Sequence, residues 1–516
     1  MNDNKTSKNS IVAKFAVPIS FLILFFLAAN FTDCDLVTFW KRRSHLTDLV
    51  VDMIPPDFSY IQKILLPLFY TIQMSVTGTV LGIFFALVLS PFGAANLGFP
   101  AVIRRILRIV IQILRSFPAL ILALTATFLF GLGTFAGTFA ITLYTFAIMT
   151  KLTYEDASAA DVKAYQALRA MGVSKYVAYI HGILPEIIPG FLTNALYLLE
   201  TNVRHSSILG YVGAGGIGLL LNEKISWLEY DKVGTILLML FLTVCVIEYF
   251  SRYLAALIRK ERTIKKEQAR LLLLFLAALF LICTFTLSLP DFSRTSPQTL
   301  RNMFAGFLQP DWSFFFSAEK DGLGYLLLET VCIAFIGTVI GAIVSAPLAF
   351  LNTKRFVPAP VSFLFNLVIM VIRSVPFLVY GLIFIRVSGP GAFTGVLTLA
   401  VCSIGLLTKR FTEALDALDL RPYHALLAMG VRPLPAICHS VLPQLKPVFT
   451  SIILYRFDVN IREASVLGLV GAGGIGAPLI FSMNQYAWEK AGAIMLGLIL
   501  LVWFIDMVSE KIGAGN

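Results

Sequence analysis

Ala167-Leu-Arg-Ala-Met-Gly-Val173 recurs as Ala425-Leu-Leu-Ala-Met-Gly-Val431, and Val212-Gly-Ala-Gly-Gly-Ile-Gly218 recurs as Val470-Gly-Ala-Gly-Gly-Ile-Gly476. Both pairs lie 258 residues apart, half of a 516-residue chain. The same offset carries Leu184-Pro185 onto Leu442-Pro443, Asn202 onto Asn460 and Arg204 onto Arg462. It also carries Arg115-Ser116 and Pro118 onto Arg373-Ser374 and Pro376, while Gly78 and Gly82 meet Gly337 and Gly341 with one residue of slippage. So many matches in one register make the chain a fused duplication, and whatever one half builds the other must build again. The expected halves are 1–258 and 259–516.

What each half builds follows from hydropathy. Hydrophobic residues make up 58% of the chain and charged residues 14%, too little charge to cover a soluble surface of this size. Several apolar runs, including those around Phe21–Leu27 and Ile236–Val246, reach the roughly 20 residues a helix needs to cross a bilayer. Backbone groups in lipid must pair internally, and continuous rather than alternating apolar runs select helices over barrel strands. The expected fold is an all-α polytopic membrane protein with about twelve transmembrane helices, six per half. They are placed near 13–30, 62–93, 101–130, 135–150, 187–206 and 231–250, then 271–289, 325–351, 359–386, 391–408, 447–466 and 490–508. Lys5, Lys8 and Lys14 before the apolar Phe15–Phe31 look like a signal peptide. Arg259, Lys260, Arg262, Lys265, Lys266 and Arg270 precede Leu271–Leu289 in the same way at mid-chain, so both segments are expected to be retained helices.

The net charge of +11 is spread over short basic stretches between apolar runs. That is the pattern of cytoplasmic loops and implies no nucleic-acid partner. Arg104-Arg105, 151–186, 252–270, Lys354-Arg355 and Lys409-Arg410 then share the cytoplasmic side, with both termini; Lys41-Arg42-Arg43, on an outer loop, is the exception. An even helix count leaves the halves parallel. The six cysteines show no CxxC spacing and the five histidines no ligand spacing, so no metal site is expected.

Gly213, Gly215, Gly216 and Gly218 match the dinucleotide fingerprint GxGxxG, but no strand precedes them and the motif occurs twice. They and Gly471, Gly473, Gly474 and Gly476 are expected to pack backbones closely at a helix contact or gate. Glu200 and Arg204, like Asp458 and Arg462, are spaced i, i+4 and are expected to pair on one helix face. Ionisable groups inside a bilayer mark a pathway by default, and with Asn202 and Asn460 they are candidates for one. The alternative is that the pairs only neutralise each other and pin helix packing. Arg115-Ser116 and Arg373-Ser374 are expected in mid-helix beside a kinking proline, where fork-shaped guanidinium groups suit an oxyanion.

Between the fourth and fifth helices of each half runs a long loop, 154–186 and 412–444, in which an Ala-rich helix, a Gly and a Leu-Pro follow at fixed spacing. This resembles the permease signature of bacterial ABC importers, and the acid-x-Asn-x-Arg segment before Leu-Gly-x-Val-Gly-Ala-Gly-Gly-Ile-Gly resembles phosphonate-type importer permeases. The resemblance implies the MetI-like fold, here with two copies in one chain. It further implies ATPase-coupling residues at Gln166, Ala167, Gly172, Pro185, His424, Ala425, Gly430 and Pro443; Gln166 and His424 depart from the family's usual Glu. Implied partners are two cytoplasmic ABC ATPase subunits, a periplasmic or lipid-anchored binding protein and a small anionic substrate, at a bacterial inner membrane. No GxxxxGK[ST] loop occurs, so ATP hydrolysis is expected elsewhere, and this chain is expected to be no enzyme and to hold no cofactor. Cargo other than a phosphorus oxyanion (methionine, a sulfonate) and ion-coupled secondary transport stay open as alternatives.

Overall fold

The computed structural model describes residues 19–259, 265–288, 290, 297–317, 319 and 322–514; Lys5, Lys8, Lys14, Lys260 and Arg262 lie outside them. The first half contains α1 (Ile19–Phe31), the short α2 (Leu36–Lys41) and α3 (Arg43–Asp52), α4 (Ile61–Gly93), α5 (Ala101–Ser116), α6 (Ala119–Phe130), α7 (Thr134–Ala159), α8 (Lys163–Ala170), α9 (Lys175–Gly182), α10 (Leu184–Leu209), α11 (Ile217–Ser226) and α12 (Tyr230–Ile258). The second half follows with α13 (Lys266–Phe285), α14 (Pro297–Leu308), α15 (Trp312–Phe315), α16 (Leu323–Asn352), α17 (Ala359–Ser374), α18 (Phe377–Ser388), α19 (Ala392–Asp416), α20 (Arg421–Ala428), α21 (Pro433–Ala436), α22 (Leu442–Leu467), α23 (Gly476–Asn484) and α24 (Trp488–Ala514). No strand occurs among the described residues. Seven helices are long and apolar enough to span a membrane, and three bent pairs and two shorter apolar helices fall on the remaining expected spans.

Each half is organised on its second and fourth helices, α4 with α7 and α16 with α19. Glycine lets the backbones touch: a Cβ on Gly78 would lie 2.7 Å from Ile141, and one on Gly82 2.6 Å from Thr145. Gly337 and Gly341 meet Leu399 and Ser403 in the same way. With no hydrophobic drive between helices in lipid, such close approach and buried hydrogen bonds hold the contact.

The third span departs from expectation. Segment 101–130 is two helices bent by 95°, and 359–388 two helices bent by 87°. Proline pushes its predecessor out of helical conformation, and Phe117 before Pro118 is extended at φ −92°, ψ 129°. Arg115 and Arg373 therefore stand in the last turn of α5 and α17, not in mid-helix as a mild kink would leave them.

The described chain divides into two compact units. One comprises residues 49–304 and 374–376, the other residues up to 48, 305–373 and 377 onward. They differ from the sequence repeats by exchange of the leading helix. In the unit built on the second repeat, Phe21 of α1 meets Phe335 edge-on at 5.5 Å and Phe31 meets Tyr325 at 4.9 Å. In the unit built on the first repeat, Gln73 of α4 donates to the Cys283 carbonyl at 3.0 Å and to Thr286 Oγ1 at 2.8 Å. Gln73 is fully buried; pairing its NH2 group ties α13 into this unit, because an unpaired donor in an apolar interior is costly.

Candidate functional site

The projecting loops come first, at the end of each unit where α4 and α7, or α16 and α19, terminate. In the first half the turn after α4 is stitched to the loop: Asn96 Nδ2 donates to the Ala157 carbonyl at 2.9 Å and Tyr165 Oη to the Leu97 carbonyl at 2.6 Å. Ala94, Leu97, Tyr154, Tyr165, Tyr179 and Ile183 form the apolar base beneath it. In the second half Asn352 Nδ2 donates to Thr412 Oγ1 at 3.1 Å and Arg355 Nη1 to the Leu418 carbonyl at 2.7 Å. The ring of Phe411 stacks on Phe449 with centroids 3.9 Å apart.

On this base α8 and α20 begin alike. Asp161 Oδ1 accepts from the Lys163 amide at 3.0 Å, and Asp419 Oδ1 from the Arg421 amide at 3.0 Å. The Lys163 amide holds the Asp161 carboxyl below the usual carboxylate range, and the Arg421 guanidinium does so for Asp419. Both helices end on a positive-φ glycine, Gly172 at +83° and Gly430 at +81°, with open space where a Cβ would sit. The backbone turn rather than packing requires glycine there. Beside them Met171 and Met429 are 71% and 70% exposed, so both loops present an apolar tip. Gln166 and Ala167 on α8, His424 and Ala425 on α20, and Pro185 and Pro443 at the starts of α10 and α22 are exposed as well.

At the opposite end of each unit, the glycine turns order the chain after the fifth helix. Gly213, Gly215 and Gly216 have φ between +77° and +82°, as Gly471, Gly473 and Gly474 have between +77° and +79°. Gly218 and Gly476 serve close packing instead, since a Cβ would lie 2.3 Å from the Ser207 carbonyl oxygen or 2.6 Å from that of Ser465. The Ile217 amide donates to Thr71 Oγ1 at 2.8 Å and the Ile475 amide to Thr330 Oγ1 at 3.1 Å, docking each turn on the second helix. In the second half Glu329 also accepts the Gly474 amide, at 3.0 Å.

Along α10 and α22 run the charges. Arg204 pairs with Glu200 at 3.1 Å and Arg462 pairs with Asp458. Asn202 and Asn460 are fully buried and face another way. Asn202 Nδ2 donates to Thr79 and Thr145 hydroxyls, both at 2.8 Å, joining the second, fourth and fifth helices. Asn460 Nδ2 repeats this with Thr338 at 2.6 Å and Ser403 at 2.9 Å. The second half adds a pair that sequence reasoning missed: Arg456 Nη2 lies 2.8 Å from Glu463 Oε2, and Arg456 Nε donates to Ser403 Oγ at 3.2 Å. Its counterparts in register are Leu198 and His205, with His205 against Tyr144. A half-by-half search for unmatched charges would have found it.

Also unread was a turn repeated 254 residues apart rather than 258, Pro56-Asp57-Phe58-Ser59-Tyr60 and Pro310-Asp311-Trp312-Ser313-Phe314. The Asp57 amide donates to the Asp231 carbonyl at 3.4 Å and the Asp311 amide to the Glu489 carbonyl at 3.0 Å, clasping each turn to the start of the last helix. No group of three or more metal-ligating side chains occurs among the described residues.

A duplicated helical membrane unit, with a rigid exposed loop at one end, a glycine-ordered turn at the other and paired charges buried on one helix between them, has the parts of a transport permease. Residues 78–262 and 337–512 each match the model of the binding-protein-dependent transport system inner membrane component, and the chain belongs to that family. The phosphate-import permease protein PhnE of Mycolicibacterium smegmatis is 27% identical over 473 residues, covering 90% of this chain and 88% of its own. The phosphite transport system permease protein PtxC of Stutzerimonas stutzeri is 36% identical over 184 residues, 36% of this chain and 67% of its own. A solved structure of the MetNI methionine ABC transporter in inward-facing conformations, 22% identical, matches 39% of this chain and 99% of its own with a TM-score of 0.36.

Proposed function

We propose that this chain is the complete membrane permease of an ATP-driven importer for a small phosphorus oxyanion, with both channel halves in one polypeptide. The observation that carries the reading is the doubled family match, joined by a relative matched over 90% of this chain whose name specifies phosphate import and one matched over 36% whose name specifies phosphite. Two cytoplasmic ATPase subunits dock on 154–186 and 412–444, one per exposed tip, and hydrolyse the ATP that this chain does not. A binding protein delivers cargo to the glycine-turn end, and both termini lie in the cytoplasm of a bacterial inner membrane. Arg115 and Arg373 supply the fork-shaped donors that suit phosphate-like oxygens. The pairs Glu200–Arg204 and Asp458–Arg462 keep the fifth helices electrically neutral along the route.

Reconstitution in liposomes with the ATPase and binding protein tests this. Labelled phosphate, phosphite and methylphosphonate are taken up with ATP, and methionine and a sulfonate are not. Uptake without the ATPase contradicts the mechanism, and uptake of methionine alone contradicts the cargo.

A further inference from the structure

Both halves have the same number of residues between the turn glycine and the fifth-helix proline, Gly172 to Pro185 and Gly430 to Pro443. They spend those residues differently. In the first half α9 and α10 meet at 69°, with Ile183 between them in neither helix. In the second half α21 continues through a π-turn at Ile437–Val441 into α22, so that Pro433–Val470 runs as one 38-residue helix.

The break of the first half sits beside Gly182. Gly182 lies so close to α8 that a Cβ would stand 2.8 Å from the Tyr165 amide nitrogen and 2.9 Å from its Cα. Real side chains do not fit such a gap, so only glycine lets α9 rest on the backbone of α8, and Tyr165 is itself pinned through its hydroxyl to Leu97. Held down there, the chain must break before α10 can start. The second half has Ser440 in register. Its Oγ folds back onto the Ala436 carbonyl at 2.6 Å, and Gln444 Nε2 donates to the Ser440 carbonyl at 2.6 Å. A wider turn with its carbonyls satisfied absorbs the same residues without a break. Beyond it the Phe411–Phe449 stack has Thr153 and Phe191 as counterparts, and the Arg456–Glu463 pair has Leu198 and His205.

We propose that the two halves answer the ATPase unequally: the first bends at Ile183, a hinge that Gly182 creates, while the second moves α21 and α22 as a single lever. A hinge is a few residues that absorb the backbone change, whereas a continuous helix passes displacement along its axis. The inference rests on the reading of these loops as ATPase contacts.

Paired spin labels test it in the full permease with its ATPase subunits, nucleotide-free and trapped with ATP and vanadate. Met171 and Tyr197 report the first half, and Met429 and Tyr455 are their exposed counterparts in register. The first distance shifts by more than about 2 Å, the scale that separates rearrangement from side-chain adjustment, and the second does not. Gly182→Ser abolishes the shift in the first half, and Ser440→Gly, which opens room rather than filling it, creates one in the second. Equal shifts in both halves, or a larger one in the second, overturn the inference while leaving the docking intact. Failure of cysteines at 171 and 429 to cross-link to the ATPase overturns the docking reading and this inference with it.

Discussion

The fifth helices α10 and α22 share a buried Asn and an i, i+4 ion pair, yet around that common centre they diverge. Where α22 sets Arg456 against Glu463, α10 has Leu198 and a His205 that packs on Tyr144. Each solution adds no net charge if the histidine is neutral, so duplication preserved the neutrality of the buried segment while its packing drifted. What stayed fixed, Asn202 with the hydroxyls of Thr79 and Thr145 and Asn460 with those of Thr338 and Ser403, joins three helices at once and admits only exchanges that keep the hydroxyl, as between Thr145 and Ser403. The ion pair can be exchanged because both its members lie on one helix.

The comparison can be broken first at the arginines of the helix breaks. Charge-assisted hydrogen bonds are worth about 1.5–3 kcal/mol each, so replacing Arg115 or Arg373 with Gln lowers oxyanion uptake by about tenfold or more, and replacing both abolishes it. Initial uptake rates in proteoliposomes read the loss, and unequal single effects would show which half leads. Undiminished uptake by the double variant removes both residues from the route.

A smaller effect, on stability, comes from the unshared pair. Arg456→Leu leaves the half-buried Glu463 without its partner and costs on the order of 3 kcal/mol. Adding Glu463→His installs the first-half solution and recovers most of it, as read by the folded fraction surviving heating in detergent. A double variant no better than the single one would mean that the two halves are not interchangeable at this site.

The smallest effect concerns the loop helices, and there the halves should agree. The Asp161 and Asp419 carboxyls are held below their ordinary range. Their contribution is therefore full above the ordinary carboxylate pKa of about 3.9 and is lost as pH falls through the lowered folded-state value. Protection of the Lys163 and Arg421 amides from hydrogen exchange, taken relative to the intrinsic rate at each pH, should fall together on acidification; a fall in one half only would separate them.

The sequence carried the duplication, the helical class, the loop pair and the i, i+4 charges, because each is a local pattern or a repeat in register. Proline at 118 and 376 announced a break, but its size depends on what the next helix packs against, so a kink was read where the chain turns through 95° and 87°. The exchange of leading helices was invisible, since Gln73 and Cys283 are 210 residues apart and nothing in either neighbourhood marks the other. The clasp at Asp57 and Asp311 sits off the 258-residue register, and a comparison locked to one offset passes over it. Gly182 against Ser440 looked like an ordinary substitution until the 2.8 Å gap to Tyr165 gave it a consequence.

The account stands on two halves inserted the same way up, each offering its exposed methionine tip to the same compartment. A single cysteine placed at Met171 or at Met429, in a background with all six native cysteines replaced by serine because Cys438 is exposed and Cys34, Cys245 and Cys402 are partly so, can be challenged with a membrane-impermeant maleimide. Both positions should react in inside-out vesicles and neither in right-side-out ones. Labelling of one from each side would contradict the account.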